Sequence, residues 1–202
     1  PPDDSTLSLF SSDAVLRNSE EWLLQLDHEA AKGDKSKRTL FKTVENLLIG
    51  GKNGKKLLPD VTNIRIAPTH VFGVIGEPLR VQFETSYGWV LISELSHGYR
   101  TVITWMVDLA RRLFDRYPDG DALSKPAIVL VDEFDLHLHP KWQRELIEFL
   151  SDRFPNTQFI VTAHSPLIVQ AAVSANANIA VLQQEGDHVV IDQSPPAKIG
   201  RA

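Results

Sequence analysis

AIVLVDEFDLHLHP, residues 127–140, and FIVTAHS, residues 159–165, decide the fold of this chain. Each opens on an unbroken run of apolar or β-branched residues, without the polar alternation of a half-exposed strand. Such runs read as strands buried on both faces. Between them, residues 141–153 are helical in pattern, and Pro140 is suited to a first helical turn because its missing N–H has no intrahelical partner there. A strand–helix–strand segment of this spacing is the unit of a parallel sheet. Both strands deliver ionisable residues at their carboxyl ends: Asp132 and Glu133 from the first, His164 from the second. Open α/β sheets hold ligands at that edge. Two acids and a histidine arriving together there point to a metal–nucleotide site.

Composition narrows the class. The chain has 202 residues, 43% hydrophobic and 23% charged, which suits one soluble domain or one with a small appendage. It has no cysteine, so neither a disulfide framework nor a thiolate zinc site is available. No apolar stretch is long enough to span a bilayer and no signal peptide opens the chain, so the expected setting is cytoplasmic, with no membrane partner. A net charge of −5 argues against a wholly basic nucleic-acid-binding domain but leaves room for a local basic patch.

Working outward, residues 13–31 carry Val15, Leu16, Trp22, Leu23 and Leu26 at helix spacing. A charged break at 33–37 separates them from a second helix at 38–49. Residues 50–56, GGKNGKK, form a glycine–lysine loop. Residues 61–67 alternate like a strand, and 79–84 and 89–92 suit two strands joined through a hairpin at 86–88. Residues 101–117 place Val102, Trp105, Met106, Leu109 and Leu113 on one helical face. Residues 179–183 and 188–191 are short closing strands, and the tail from 194 is expected to be flexible. The expected fold is α/β: a mainly parallel sheet flanked by helices, with an antiparallel β portion and a helical N-terminal insertion. The expected divisions are a helical segment at 1–60, the main lobe at 61–193 and a tail at 194–202. Trp22, Trp89, Trp105 and Trp142 are expected in the core.

Phosphoryl transfer to water needs a divalent cation, a group that orients the water and a sensor of the γ-phosphate. Asp132 is placed to hold Mg²⁺ through a coordinated water. Glu133 is placed to polarise the attacking water, and His164 to donate to the γ-phosphate and register its loss. The plainer reading of Asp-Glu after a strand is a solvated turn, and His164 at the tip of the neighbouring strand argues against it. SELSHGYR, residues 93–100, precedes the amphipathic helix. Ser96 and Gly98 present a hydroxyl and backbone amides at a helix N-terminus, which favours anions; in isolation the segment reads equally as an ordinary serine cap.

ELSHGYR, LVDEFDLHLHP and FIVTAHSP, in this order, resemble the C-terminal lobe of P-loop NTPase-like, ABC-type ATPases. The resemblance is strongest to the non-transporter branch with RecF-like, OLD-like and structural-maintenance-of-chromosomes (SMC) members. Within it, the stand-alone AAA-family ATPases of bacterial anti-phage defence, of the Septu and retron type, are most similar. The resemblance spans roughly residues 89–172. It implies that residues 95–100 are the signature motif, with Ser96, His97 and Gly98 touching the γ-phosphate bound to an opposite subunit. It further implies a Walker B strand at 128–133, a D-loop at 136–139 ending on His139, and His164 as the switch histidine. ATP and Mg²⁺ are the implied ligands. The implied assembly is a homodimer or higher oligomer with head-to-tail ATP sites, working on DNA or RNA, with a nuclease partner. His97, where transporters carry glycine, and His139, where the D-loop often has aspartate, depart from the transporter pattern and fit the defence branch.

One part is not found. A Walker A loop, G-x-x-x-x-G-K-[ST], cradles the phosphates in such enzymes. GGKNGKK has the wrong glycine spacing, ends in lysine where the Mg²⁺-binding hydroxyl belongs, and follows a helix in place of a strand. It reads as a basic surface loop, beside the cluster Lys32, Lys35, Lys37, Arg38 and Lys42. That cluster is either a solvated face or a nucleic-acid contact. His137 and His139 beside Asp135 invite a metal-ligand reading, but the strand ends earlier and a loop role is the simpler one. The expectation is therefore the C-terminal part of a split or truncated ATPase whose Walker A lobe lies upstream or on another chain. The alternative class is a non-catalytic assembly module that holds a nuclease or nucleic acid. On the first reading the isolated chain binds ATP weakly and hydrolyses it negligibly; calorimetry finding micromolar ATP affinity for this polypeptide alone contradicts it.

Overall fold

The computed structural model describes residues 19–50, 56–70, 76–135 and 138–192. They fall in two compact units, Pro1–Ala127 and Ile128–Ala202.

The first unit holds three helices and an antiparallel sheet. Helix α1 (Ser19–Ala31) buries Leu23, Leu26 and Ala30, the spacing of a single helical stripe. It packs against α2 (Lys35–Ile49), the long helix α3 (His97–Arg116) and strand β2 (Leu79–Thr85). The break expected at 33–37 is shorter than that. Asp34 caps α2 by accepting from the Ser36 and Lys37 amides at 2.9 and 3.3 Å, which draws Lys35, Ser36 and Lys37 into the first turn. Likewise α3 begins at His97, four residues before the start expected at 101, because Ser96 caps it. The segment of the first expected helix before residue 19 lies outside the described residues, as does most of the loop at 50–56.

β1 (Asn63–Pro68), β2 and β3 (Gly88–Leu91) pair antiparallel in that order. The β2–β3 connection is a two-residue turn, and Gly88 at φ +112° follows it in a conformation that a side chain would strain. The central strand buries Val81 and Phe83 on one face and Gln82 on the other. Gln82 is satisfied there: it accepts from Arg65 Nε at 2.8 Å and donates to Thr69 Oγ1 at 2.7 Å. The Arg65 guanidinium stacks 3.9 Å over Trp89, so Trp89 is a half-exposed platform and not core. Trp22 and Trp105 are also half-buried, and only Trp142 is buried.

The second unit carries β4 (Ala127–Val131, its first residue at the boundary), α4 (Pro140–Arg153), β5 (Thr157–Val161), α5 (Pro166–Ser174), β6 (Val181–Glu185) and β7 (His188–Asp192). β4 and β5 are paired neighbours. At their ends the Thr162 N–H donates to Val131 O at 3.0 Å, and the Thr162 carbonyl accepts from Phe134 N–H at 2.9 Å. One residue donating to an earlier and accepting from a later residue of its neighbour is the parallel sense, here stretched by one residue at Glu133, whose amide goes to the Thr162 hydroxyl. α4 buries Trp142, Leu146, Phe149 and Leu150 and packs on α5, which buries Ile168. Phe154 and Phe159 meet edge to face at 5.9 Å. The mixed α/β class expected from the sequence is the class observed. Among the described residues its parallel part is one strand pair and antiparallel pairing is the more extensive.

The expected burial of both strands on two faces needs correction. Ile128 is 71% exposed, Leu130 49% and Ile160 51%. The alternate residues Ala127, Val129, Val131, Phe159 and Val161 are half-covered. A strand needs a layer on each face to be buried twice over, and among the described residues one face is left bare. The β6–β7 hairpin does the same. Leu182 stands opposite Ile191 and Gln184 opposite Val189, and the three aliphatic residues of that face are all more than 60% exposed. No helix among the described residues is long and apolar enough to cross a membrane.

The first unit has one polar tie of particular reach. Glu20, at the start of α1, accepts from Arg80 Nε at 2.7 Å, from Arg80 Nη2 at 2.9 Å and from the Val81 amide at 3.1 Å. A bidentate pair plus a backbone donor, largely screened from water, fixes α1 on β2. Glu20→Ala leaves that amide and the guanidinium without their acceptor. We expect it to lower stability by about 2 kcal/mol in chemical denaturation; an unchanged midpoint contradicts this assignment.

Candidate functional site

The chain leaves β4 through Asp132 and Glu133 and does so by an unusual backbone step: Glu133 sits at φ +50°. A non-glycine residue in the left-handed region costs about 1–2 kcal/mol and needs anchoring. Thr162, the first residue past β5, supplies the anchor. Its hydroxyl accepts from the Glu133 amide at 2.9 Å and donates to Asp132 Oδ1. With the two backbone bonds already described, one threonine engages Val131, Asp132, Glu133 and Phe134 in succession.

A second tie lies two residues on. The His164 amide donates to both Asp135 carboxylate oxygens, at 3.2 and 3.3 Å. Ser165 donates from its hydroxyl to Gln143 Oε1 at 2.6 Å and caps α5 by accepting from the Leu167 amide. Gln143 Nε2 in turn donates to the carbonyls of Asp135 and Leu138, at 3.3 and 3.1 Å. The structure thus brings the backbone bearing Asp132, Glu133 and His164 to one edge of the second unit. The carboxylate of Glu133 and the imidazole of His164 carry no direct bond to each other among the described contacts, and all three residues are exposed.

His139 caps α4, its Nδ1 accepting from the Lys141 amide at 3.3 Å. His137 lies outside the described residues. Among the described residues no three His, Cys, Asp or Glu side chains gather as a metal cluster. That does not disqualify Mg²⁺, which is commonly held by one or two carboxylates with waters and substrate phosphates. Asp132 suits that kind of coordination, because Thr162 takes one of its oxygens, the other is open, and the residue is exposed. Asp132, Glu133 and Asp135 make no ion pair with Lys, Arg or His among the described residues. This negative edge favours a cation and repels a bare polyphosphate.

The SELSHGYR segment belongs to the first unit and stands by itself here. Ser96 Oγ accepts from the Tyr99 amide at 3.4 Å, which makes it the cap of α3. His97 Nδ1 shares a hydrogen bond with Thr101 Oγ1 at 3.1 Å. Gly98 is buried, while Ser96 and His97 are exposed. Tyr99 donates from its hydroxyl to Asp60 Oδ2 at 2.6 Å, tying the start of α3 to the chain before β1.

Sequence reasoning misses the positioning set, Thr162, Asp135 and Gln143. Thr162 is legible only as a β-branched strand residue, and Gln143 as an ordinary helical one. Asp135 stands out only as a neighbour of two histidines. What identifies them is the pairing register, which a single sequence does not carry.

The family described as "AAA domain, putative AbiEii toxin, Type IV TA system" matches residues 8–170. The chain belongs to this AAA family. Among characterised relatives, it is 44% identical over 91 residues to the Retron Vc95 probable ATPase of Vibrio cholerae serotype O1 biovar El Tor, covering 45% of this chain and 18% of that protein. It is 28% identical over 191 residues to the Septu protein PtuA of Bacillus mycoides, covering 95% of this chain and 23% of that protein. It is 31% identical over 167 residues to Septu protein PtuA of Bacillus thuringiensis, covering 81% and 42%. The chain therefore spans between about a fifth and two fifths of the length of these relatives. Among solved structures, an SMC ATPase studied for "ATP-driven dimerization and DNA stimulated activation" superposes with a TM-score of 0.52 at 15% identity, over 76% of this chain and 81% of that one. The Smc head domain from Pyrococcus yayanosii gives 0.51 at 17% identity, over 85% and 31%. At such identity these two speak for the fold alone, an SMC-head-like α/β fold of the class expected from the sequence.

The Tyr99 phenol is held above its ordinary range, first by burial and then by its bond to Asp60. A raised pKa means that the stability it lends is complete below the unfolded value, about 10, and is lost as pH rises toward the folded one. In an absorbance titration Tyr99 ionises late, and Tyr99→Phe removes that phase. Ionisation of Tyr99 near pH 10 in the folded wild type contradicts this burial and bonding.

Proposed function

We propose that this chain is the signature- and Walker B-bearing half of an ABC-type ATPase, and that its site is completed by a nucleotide-cradling lobe outside the chain. The observation that carries the reading is the junction at Thr162, which joins the tips of β4 and β5 so that Asp132, Glu133 and His164 issue from one edge. Its AAA family and its retron and Septu relatives support an ATPase working in anti-phage defence.

In this reading Asp132 would hold Mg²⁺, one of its carboxylate oxygens being engaged by Thr162. The cation supplies charge neutralisation for the β- and γ-phosphates when bound. Glu133 orients and polarises the attacking water. His164 donates to the γ-phosphate, and its backbone position is set by Asp135. Ser96, His97 and Gly98 act from a second subunit, their helix start facing the γ-phosphate of the first. ATP is then the adhesive of a head-to-tail dimer, and hydrolysis releases it. His139, already committed to capping α4, belongs to the D-loop side of that contact.

The missing lobe is supported by physical need. The bare aliphatic face of β4 and β5, and that of the β6–β7 hairpin, call for an apolar partner layer. The chain also spans well under half of its relatives' length. In this reading a helical segment spans 1–60 and the lobe 61–193, with the tail at 194–202 outside the described residues.

Nucleic acid enters through charge. Residues 32–56 carry eight of the 21 Lys and Arg but two of the 26 Asp and Glu, so they bear +6 in a chain of net −5. On α2 and just before it, Lys32, Lys35, Arg38 and Lys42 are exposed, Lys42 pairing with Glu45. Phosphate contacts of DNA or RNA are the chemistry such a face takes. A nuclease as the downstream partner rests on the resemblance to the defence branch alone.

Glu133→Gln in the complete protein is expected to trap an ATP-bound dimer, seen by light scattering, with turnover reduced at least about a hundredfold, within the range general-base loss removes. Turnover at the wild-type rate defeats the base assignment. Absence of both turnover and ATP-dependent dimers in the wild type favours the assembly-module reading.

A further inference from the structure

Thr162 has one hydroxyl proton and two polar neighbours within reach of it. The Glu133 amide can only donate, so the hydroxyl oxygen must accept there. The proton is then left for Asp132, whose ionised carboxylate can only accept. The direction of this relay is therefore fixed by chemistry and not by a choice of rotamer. One end of it holds the residue assigned to the cation, and the other holds the amide of the residue assigned to the water.

The second half of the observation is the strain at Glu133. A φ of +50° is a conformation this residue keeps only if its surroundings impose it. Its own amide goes to the Thr162 hydroxyl, and the next amide, Phe134, goes to the Thr162 carbonyl. The backbone bonds at Val131 and Phe134 are made by any residue at position 162 except proline, which has no N–H to donate. The side-chain bonds to Asp132 and Glu133 are made only by a hydroxyl.

We infer that Thr162 is a positioning residue of the ATPase site. Its hydroxyl holds the Asp132 carboxylate and the left-handed turn at Glu133 in one fixed arrangement, so that cation and attacking water are aligned before the reaction. This rests on the ATPase reading above. Thr162 touches neither substrate nor reacting atoms in this role. It acts through the two acids, so its loss should slow the chemical step without weakening nucleotide binding.

The test uses the complete, full-length protein and two substitutions. Thr162→Val keeps the shape and strand preference and removes the hydroxyl; Thr162→Ser keeps the hydroxyl and removes the methyl. Expected for Thr162→Val is a fall in kcat of about tenfold or more, with KM for ATP within about twofold of wild type. Thr162→Ser is expected to restore kcat to within about threefold. Amide exchange by NMR or mass spectrometry reads the same bond without catalysis: the Glu133 amide loses protection in the valine variant and keeps it in the serine variant. Wild-type kcat and protection in Thr162→Val overturn the inference, and so does a serine variant as slow as the valine one. If the valine variant does not fold, a serine variant with wild-type kcat and Glu133 protection supports the inference, and one without them overturns it. Glu133→Gln run alongside separates the two levels. Absence of ATP turnover in the wild type defeats the ATPase reading itself, and a Glu133→Gln protein that turns over normally defeats the base assignment, whereas a dead Glu133→Gln with an unaffected Thr162→Val defeats only the role of the hydroxyl.

Discussion

The end of β5 grips the end of β4 through a single threonine, and the site depends on that grip. Two parallel strands can lie side by side while their exits diverge. Here the exits are stitched together by four bonds from Thr162 and by the Asp135–His164 tie beyond it. The Glu133 turn is costly in isolation, and its cost is offset by having both its own amide and the next one received by the neighbouring strand. Geometry that the proposed chemistry needs is in this way built from the ordinary needs of backbone polar groups at a sheet edge.

Much of this is legible in the sequence, for identifiable reasons. The strand–helix–strand unit announces itself through unbroken apolar runs and a helical period between them, and the acids and histidine are placed by the rule that strands deliver such groups at their carboxyl ends. Helix starts are less legible. Asp34 and Ser96 each draw several polar residues into a helix whose apolar stripe begins later. Burial is the least legible. Ile128, Leu130 and Ile160 have the composition of a doubly covered strand, and composition does not say whether the second cover lies on the same chain. The tryptophans teach a related lesson: Trp89 looks like core by type, yet it works as a platform for the Arg65 guanidinium. The positioning side chains cannot be read at all, because Thr162 and Gln143 acquire their meaning only from which residues the register sets opposite them.

The two units place different demands on their surroundings. The first is well supplied with its own polar ties, among them Glu20 with Arg80 and Tyr99 with Asp60, and it carries the concentrated positive charge. The second carries the negative edge and the bare aliphatic strands. The proposed ATP site at that edge requires a cation to offset three carboxylates and a covering layer to keep water from the strands, and among the described residues that strand face is bare.

The most direct measurement is a structure of the complete protein with Mg²⁺ and a non-hydrolysable ATP analogue. It should place the free oxygen of Asp132 in the cation's ligand or water shell. The Glu133 carboxylate should lie beside the in-line water, and a His164 ring nitrogen within roughly 3 Å of a γ-phosphate oxygen. A nucleotide bound with its γ-phosphate remote from the tips of β4 and β5 contradicts the assignment at its root.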